Sequence, residues 1–311
     1  VVFDVSEPAV QVKEPELVRP RLIWVPPAPA DSPSPDQIAP RRSGQPRLAV
    51  LAIQLEIEPG WHVYWPGQND SGSPVEVDLT LPEGWKAGPV QWPAPVRHVA
   101  DGDLLDHVLE GRPVLMIPIE APSSPGASGD AAVQAAPPRI TAKLAWMVCK
   151  EACKVGKAEL EVDAPLAAPD RSPAADLSIV ASARKATPRP LAASAGPGGE
   201  GGVVARITSE SAAAGLRLRI AARGASRLEF YPHADSVPTA DPLRECVSRG
   251  PELDIRLVEP AGGAGGAGDG GAASSEKAPR VRGVLRVVRP GKPESVELFE
   301  VDLPLAGKVG K

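Results

Sequence analysis

The stretch "RITAKLAWMVCKEACKVGKAELEV", residues 139–162, decides the fold class. In its first half Ile140, Ala142, Leu144, Trp146 and Val148 fall on one side, alternating with the residues between them. Period two over such a run predicts a strand with one buried face. At its end Cys149 and Cys153 are separated by Lys150, Glu151 and Ala152. Two residues flanking a three-residue turn can stand opposite each other across a hairpin. Facing Cα atoms there lie roughly 4.5–5.5 Å apart, within disulfide range.

The same alternation recurs outward from this stretch. In "RLAVLAIQLEIE" (47–58), Leu51, Ile53, Leu55 and Ile57 oppose Gln54, Glu56 and Glu58, and "PVEVDLTLP" (74–82) and "RPVLMIPIEAP" (112–122) read the same way. Further on, "GLRLRIAA" (215–222), "RLEFYP" (227–232), "ELDIRLVEP" (252–260), "RVRGVLRVVRP" (280–290) and "SVELFEVDLPLA" (295–306) continue it. With 38 prolines and 30 glycines in 311 residues, short strands joined by turns are expected rather than long helices. Residues 168–202, ending in "ASAGPGGEGG" (193–202), read as a flexible linker, 260–278 as a long hairpin loop and 123–138 as an exposed insertion. "AELEVDAPLA" (158–167) is echoed by "ELFEVDLPLA" (297–306). The expectation is an all-β chain of two related β-sandwich domains, residues 1–167 and 203–311, joined by the Pro/Gly/Ala-rich linker 168–202. Only the first keeps cysteines in its closing hairpin.

A formal net charge of −5 argues against nucleic acid or an anionic membrane as partner. No apolar run approaches the roughly 20 residues that cross a bilayer. The chain starts at Val1 without a visible leader, so a signal peptide is expected to have been removed or never to have existed.

Three readings of the cysteine pair stand side by side. As a staple it is poor, because closing so short a loop stabilises by only roughly 2 kcal/mol. As a metal site it lacks ligands. Zinc wants four, and nothing in the sequence places His62, His98 or His107 near the thiols, although Cu(I) accepts two thiolates. As a redox pair it is apt: a hairpin-tip disulfide is accessible, and Lys150 and Lys154 would favour a thiolate if they are more than a solvated face. His62, Tyr64 and Trp65 in "PGWHVYW" form either a wall shielding the disulfide or core aromatics with a surface histidine. Asn69, Asp70, Ser71 and Gly72 form either a cap or an ordinary turn. Trp92 and Trp146 read as core. Asp101, Asp103, Asp106 and His107 read as a charged loop rather than a metal cluster. Cys246 reads as an unpaired, inert thiol.

"PGWHVYWPGQNDSGSPVEVDLTLPEGWKAGPVQWPAP" (59–95) followed by "LAWMVCKEAC" (144–153) resembles the amino-terminal periplasmic domain of the DsbD/ScsB thiol–disulfide interchange proteins. The shared features are a Gly-Trp-His-x-Tyr-Trp stretch, a Gly-x-Pro turn into a strand, Leu-Pro-x-Gly, Trp-Pro-x-Pro and a Trp-x-Val-Cys strand with a second cysteine shortly after. Together they cover most of residues 45–167. "LEFYP" and "FEVDLPLA" resemble, less distinctively, the second domain of ScsB-like members. The resemblance implies immunoglobulin-like sandwiches with Cys149 and Cys153 as the redox pair. It also implies a cap formed by a loop such as Asn69–Gly72, and protein-disulfide reductase activity with no cofactor beyond the disulfide. The implied partners are a membrane electron-transfer protein and periplasmic thioredoxin-like clients, which places the domain in the periplasm. By the same resemblance Cys153 forms the mixed disulfide and Cys149 resolves it. The cysteine spacing matches ScsB-like members better than DsbD, whose spacing is wider, and the chain shows neither membrane segments nor a thioredoxin-like domain. The alternative is a copper(I)- or partner-binding sandwich in which the thiols are ligands, a chemistry suited to copper tolerance.

Overall fold

A computed structural model describes residues 16–27, 48–122, 137–166, 174–191, 202–209, 215–258 and 278–305. The first part of the chain runs β1 (Val18–Val25), β2 (Leu48–Ile57), β3 (His62–Tyr64), β4 (Glu76–Thr80), β5 (Lys86–Ala87), β6 (Val96–Ala100), β7 (Leu104–Glu110), β8 (Val114–Glu120), β9 (Arg139–Cys149) and β10 (Cys153–Asp163). Helix α1 (Ala174–Ala186) and β11 (Arg189–Pro190) follow. The second part runs β12 (Val203–Ser209), β13 (Leu216–Ala222), β14 (Arg227–Pro232), α2 (Pro242–Glu245), β15 (Val247–Ser248), β16 (Glu252–Leu257), β17 (Arg280–Arg289) and β18 (Ser295–Pro304). The described chain is mostly β, as the alternation predicts.

Four sheets form two pairs. In the first pair, β1-β2-β8-β5 faces β10-β9-β3-β7-β6, with β4 continuing beside β9 beyond β3. Leu51, Ile53 and Leu55 of β2, Leu115 and Ile117 of β8, and Ile140, Leu144, Trp146 and Val148 of β9 meet in one core. The face expected of residues 139–149 is therefore the buried one. Gly156 stands opposite Trp146 in the β9–β10 ladder, and a Cβ there would lie 2.4 Å from the indole, so the glycine leaves room for that ring. In the second pair, β11-β18-β17-β14-β15 faces β12-β13-β16 around Leu218, Ile220, Phe230, Ile255, Leu285 and Phe299. The two echoing segments fall in β10 and β18, each paired antiparallel with the strand before it.

The expected flexible linker needs correction where it is described. Val180 and Ala183 of α1 pack on Ile23, Ala52, Val114 and Met116, on the outer face of the first sheet. Arg21 pairs with Asp176, and Arg189–Pro190 adds a parallel strand to β18. The physical reason is in β8, whose residues Val114–Ile117 are buried on both faces. An outer face carrying Ile23, Val114 and Met116 needs a cover, and α1 supplies it. The readings placed on 123–136, 167–173, 192–201 and 259–277 lie outside the described residues.

The two pairs touch. Gly67 bridges His233 antiparallel, Gln68 N–H donates to Pro232 O (3.0 Å) and Ala234 N–H to Pro66 O (3.1 Å). The Arg97 guanidinium donates to Pro242 O (3.2 Å) and Leu243 O (2.8 Å). Trp65 stacks on His233 with centroids 4.7 Å apart, and Tyr231 and Val284 join the first core.

Candidate functional site at the cysteine hairpin

Strand β9 delivers Cys149 to a position flanked on both sides. Cys153 of β10 is its partner on one side and His62 of β3 on the other. The two cysteines form a disulfide with Cα atoms 4.2 Å apart. Its ends differ in access: Cys149 is 3% exposed among Tyr64, Val108 and Met147, whereas Cys153 is exposed at the start of the edge strand β10. Beside it stands Val155, 80% exposed. Of the two residues, Cys153 is the one open to solvent.

The aromatic stretch divides by strand alternation. His62 and Tyr64 face the disulfide side, and the Tyr64 hydroxyl lies 3.9 Å from Cys153 Sγ. Trp65 points the other way, fully buried in the core against His233, so it is no part of the wall. Period two in β3 puts neighbours on opposite faces, which separates Tyr64 from Trp65. The His62 ring lies edge-on to Tyr64 (5.5 Å between centroids) and 4.5 Å from His98 of β6. Burial, then the neighbouring His98, holds the His62 pKa below the usual imidazole value. The same burial disfavours a charged imidazole at this place, so His62 serves here as packing against Tyr64 and His98.

The loop 69–72 is tied down residue by residue. Asn69 accepts from His107 N–H (2.8 Å) and donates to Trp65 O (2.9 Å). The Asp70 carboxylate accepts from Leu105 N–H (2.7 Å), while Ser71 donates through N–H (2.9 Å) and hydroxyl (2.6 Å) to Asp106. Gly72 then lies on the Tyr64 ring at φ +61°, where a Cβ would sit 2.1 Å from Cζ. Both conditions demand glycine. The loop covers Tyr64, and Tyr64 touches the sulfur.

Other expected residues separate. Asp101 and Asp103 lie in an exposed turn, but Asp106 and His107 are buried in β7, which corrects the single charged loop. The reason is the β6–β7 pairing, in which "VRHVA" and "LLDHVLE" form a ladder too irregular in polarity to read as alternation. Trp146 is core and Trp92 packs against it partly buried. Lys150 runs along Gly60, its Cε 3.5 Å from where a Cβ would stand. Cys246 is buried, and burial pushes its thiol up to about 12. Among the described residues no group of three or more His, Cys, Asp or Glu is placed to hold a metal ion. His98 beside His62, and Gln68, were not singled out as site residues; only the pairing of β6 and the contact with β14 bring them there.

A disulfide between one exposed and one buried cysteine, at the edge of a β-sheet, is an arrangement that thiol–disulfide exchange can use. Residues 31–165 match the family model described as "Thiol:disulfide interchange protein DsbD, N-terminal". The crystal structure of the N-terminal periplasmic domain of ScsB from Proteus mirabilis is similar in fold over 96% of this chain and 97% of that one, at 12% identity and a TM-score of 0.55. The Neisseria meningitidis DsbD N-terminal domain in the reduced form aligns over 37% of this chain and 77% of that one, at 11% identity and a TM-score of 0.25. No curated protein matches the chain by sequence. Among the described residues no helix is long and apolar enough to cross a membrane.

Proposed function

We propose that this chain is a periplasmic thiol–disulfide interchange module of the protein-disulfide reductase type, built on two immunoglobulin-like sandwiches, 1–167 and 203–311. It passes reducing equivalents from a membrane electron-transfer protein to thioredoxin-like clients, and its redox group is the Cys149–Cys153 disulfide itself. The observation that carries the reading is the asymmetry of the pair, with Cys153 exposed and Cys149 buried. In the oxidised protein a donor thiolate attacks Cys153 Sγ. The S–S bond breaks and its electron pair leaves on Cys149 Sγ, which takes a proton. The donor's second thiol, as its thiolate, then attacks the donor sulfur of the mixed disulfide, releasing Cys153 as thiolate and the donor as disulfide. Toward a client the sequence reverses. Cys153 thiolate attacks the client disulfide, one client thiolate leaves, and Cys149 attacks Cys153 Sγ to release the second. Tyr64 can donate to the Cys153 thiolate, and the Cys149 proton passes to the client thiolate that left first.

The test is trapping. Cys149→Ser should accumulate mixed disulfides with a periplasmic extract on non-reducing electrophoresis, whereas Cys153→Ser should trap little. Both should lose exchange while losing no more than roughly 2 kcal/mol of stability, because the closed loop is short. Two variants that trap nothing and unfold by several kcal/mol would make the pair a staple. Stoichiometric copper(I) on the reduced protein, without exchange, would favour the ligand reading instead.

A further inference from the structure

The second sheet pair carries no cysteine in the hairpin β17–β18 that corresponds to β9–β10, and its part in a redox module is not given by the disulfide chemistry. Its contact with the cap loop supplies one. Residues 66–68 run as a short added strand along Pro232–Ala234. From there Gln68 directs its whole side chain into the turn that follows β14. Its Oε1 accepts from Thr239 N–H (3.2 Å) and the Thr239 hydroxyl (3.2 Å). Its two Nε2 hydrogens are shared among His233 O (3.4 Å), Ser236 O (3.4 Å) and Val237 O (3.3 Å). No polar atom of this side chain is used by its own sheet pair among these bonds.

The next four residues are the cap. Asn69, Asp70 and Ser71 hold β7, and Gly72 rests on Tyr64, whose hydroxyl meets Cys153 Sγ. After Gly72 the chain returns to its own sheet through Val75 N–H on Tyr64 O and the bridge of Tyr64 with Pro74. The loop is thus a flap held from three sides, by β3, by β7 and by the second sheet pair. Lifting it off Tyr64 works against the bonds to β7 and pulls on Gln68.

We propose that Gln68 is a positioning residue through which the cysteine-free sheet pair holds the flap closed over Tyr64 and so sets how fast a thiol reaches Cys153. The proposal rests on the redox reading of Cys149–Cys153. It gives the second sheet pair a task that needs no cysteine of its own. Coupling is carried by a contiguous chain of contacts, turn 232–239 to Gln68 to Gly72 to Tyr64 to Cys153, with the flap as the element that has two positions.

The experiment measures the rate at which dithiothreitol reduces the disulfide in the whole chain, by quenching and counting free thiols well below the melting temperature. Gln68→Ala and Thr239→Val should each accelerate reduction by roughly tenfold, or about 1.4 kcal/mol, the size expected on losing one or two neutral hydrogen bonds. Thr239→Ser, which keeps the hydroxyl, should stay within about twofold of the parent. Arg97→Ala breaks a different contact across the same junction and should leave the rate unchanged. Thr239→Val decides the matter if Gln68→Ala does not fold. Parental rates in both variants overturn the tether while leaving the redox reading intact. Equal acceleration by Arg97→Ala overturns the assignment to Gln68. A disulfide that dithiothreitol reduces in no form of the folded protein sinks the redox reading and the tether with it.

Discussion

His107 should make the protein acid-sensitive well above the range where carboxylates titrate. It is fully buried in β7, edge-on to Trp65 (6.3 Å) and Tyr231 (5.6 Å), and neither ring nitrogen has a hydrogen-bond partner among the described residues. Burial, then the charge of Arg97, lowers its pKa from 6.5 to about 4. The other ionisable groups at this junction are Tyr231, hydrogen-bonded to Glu229, and His233, paired with Glu300 at 2.7 Å. Above both pKa values the ring is neutral in either state and there is no penalty. As pH falls through 6.5 the unfolded chain takes up a proton that the folded chain refuses until about 4. Stability is therefore lost across that window and the loss is complete below it. At about 1.4 kcal/mol per pH unit, the gap amounts to about 3 kcal/mol. The assay is urea unfolding between pH 7.5 and 4, comparing the parent with His107→Leu. Replacing an unpaired buried imidazole by an apolar side chain should change stability at pH 7.5 by no more than about 1 kcal/mol. Because His62 and the carboxylates titrate in both proteins, the difference between the two curves isolates His107. Parallel curves would refute the reasoning.

Two further outcomes follow from packing. Gly156→Ala should destabilise by about 1–3 kcal/mol in thermal melts, because the clash with Trp146 outweighs the smaller entropy gain of leaving glycine; an unchanged melting temperature would mean that the edge strand β10 yields freely. Val180→Asp should lift α1 from the sheet at a cost of roughly 2–3 kcal/mol and open Arg184 and Lys185 to trypsin, whereas the parent should resist cleavage there in limited digestion. Equal cleavage of both would remove the helix from the fold's stable part.

The strands were legible because their polarity alternates. Leu51 to Ile57 and Ile140 to Val148 each show one buried face, and no tertiary information is needed to see it. The cysteine hairpin was legible for the same reason, since the strand pattern puts Cys149 at a ladder's end. Helix α1 was not. Its segment is rich in alanine and proline-flanked, and its two burying residues, Val180 and Ala183, make sense only against the apolar outer face of β1, β2 and β8. Reading 112–122 as an alternating strand passes over a signal, since Val114 to Ile117 is apolar at every position, and a sheet buried on both sides needs a cover from somewhere. The role of Gln68 was beyond reach, because its partners lie more than 160 residues away. The sequence leaves Trp65 open between a shielding wall and the core, because the register that separates it from Tyr64 is not legible there, and the structure places it in the core.

Control of this disulfide has to come from access more than from the bond. A loop of three residues between the cysteines contributes little by closure, so neither opening nor closing it carries a large change in folding free energy. The two ladder partners of Cys149 hold β9 in place whether or not the sulfurs are joined. Cys153 is exposed as a residue, and the group placed against its sulfur is Tyr64, over which the loop lies. Gly72 makes that contact, and a glycine surface brings no side chain of its own to hold it there. The holding force comes from polar contacts on three sides. The first is a pair of backbone contacts to β3. The second is the set of hydrogen bonds from Asn69, Asp70 and Ser71 to β7. The third is Gln68, whose polar atoms all serve the second sheet pair. A module built this way can lose the cysteines from one of its two closing hairpins and still need both sheet pairs for its chemistry.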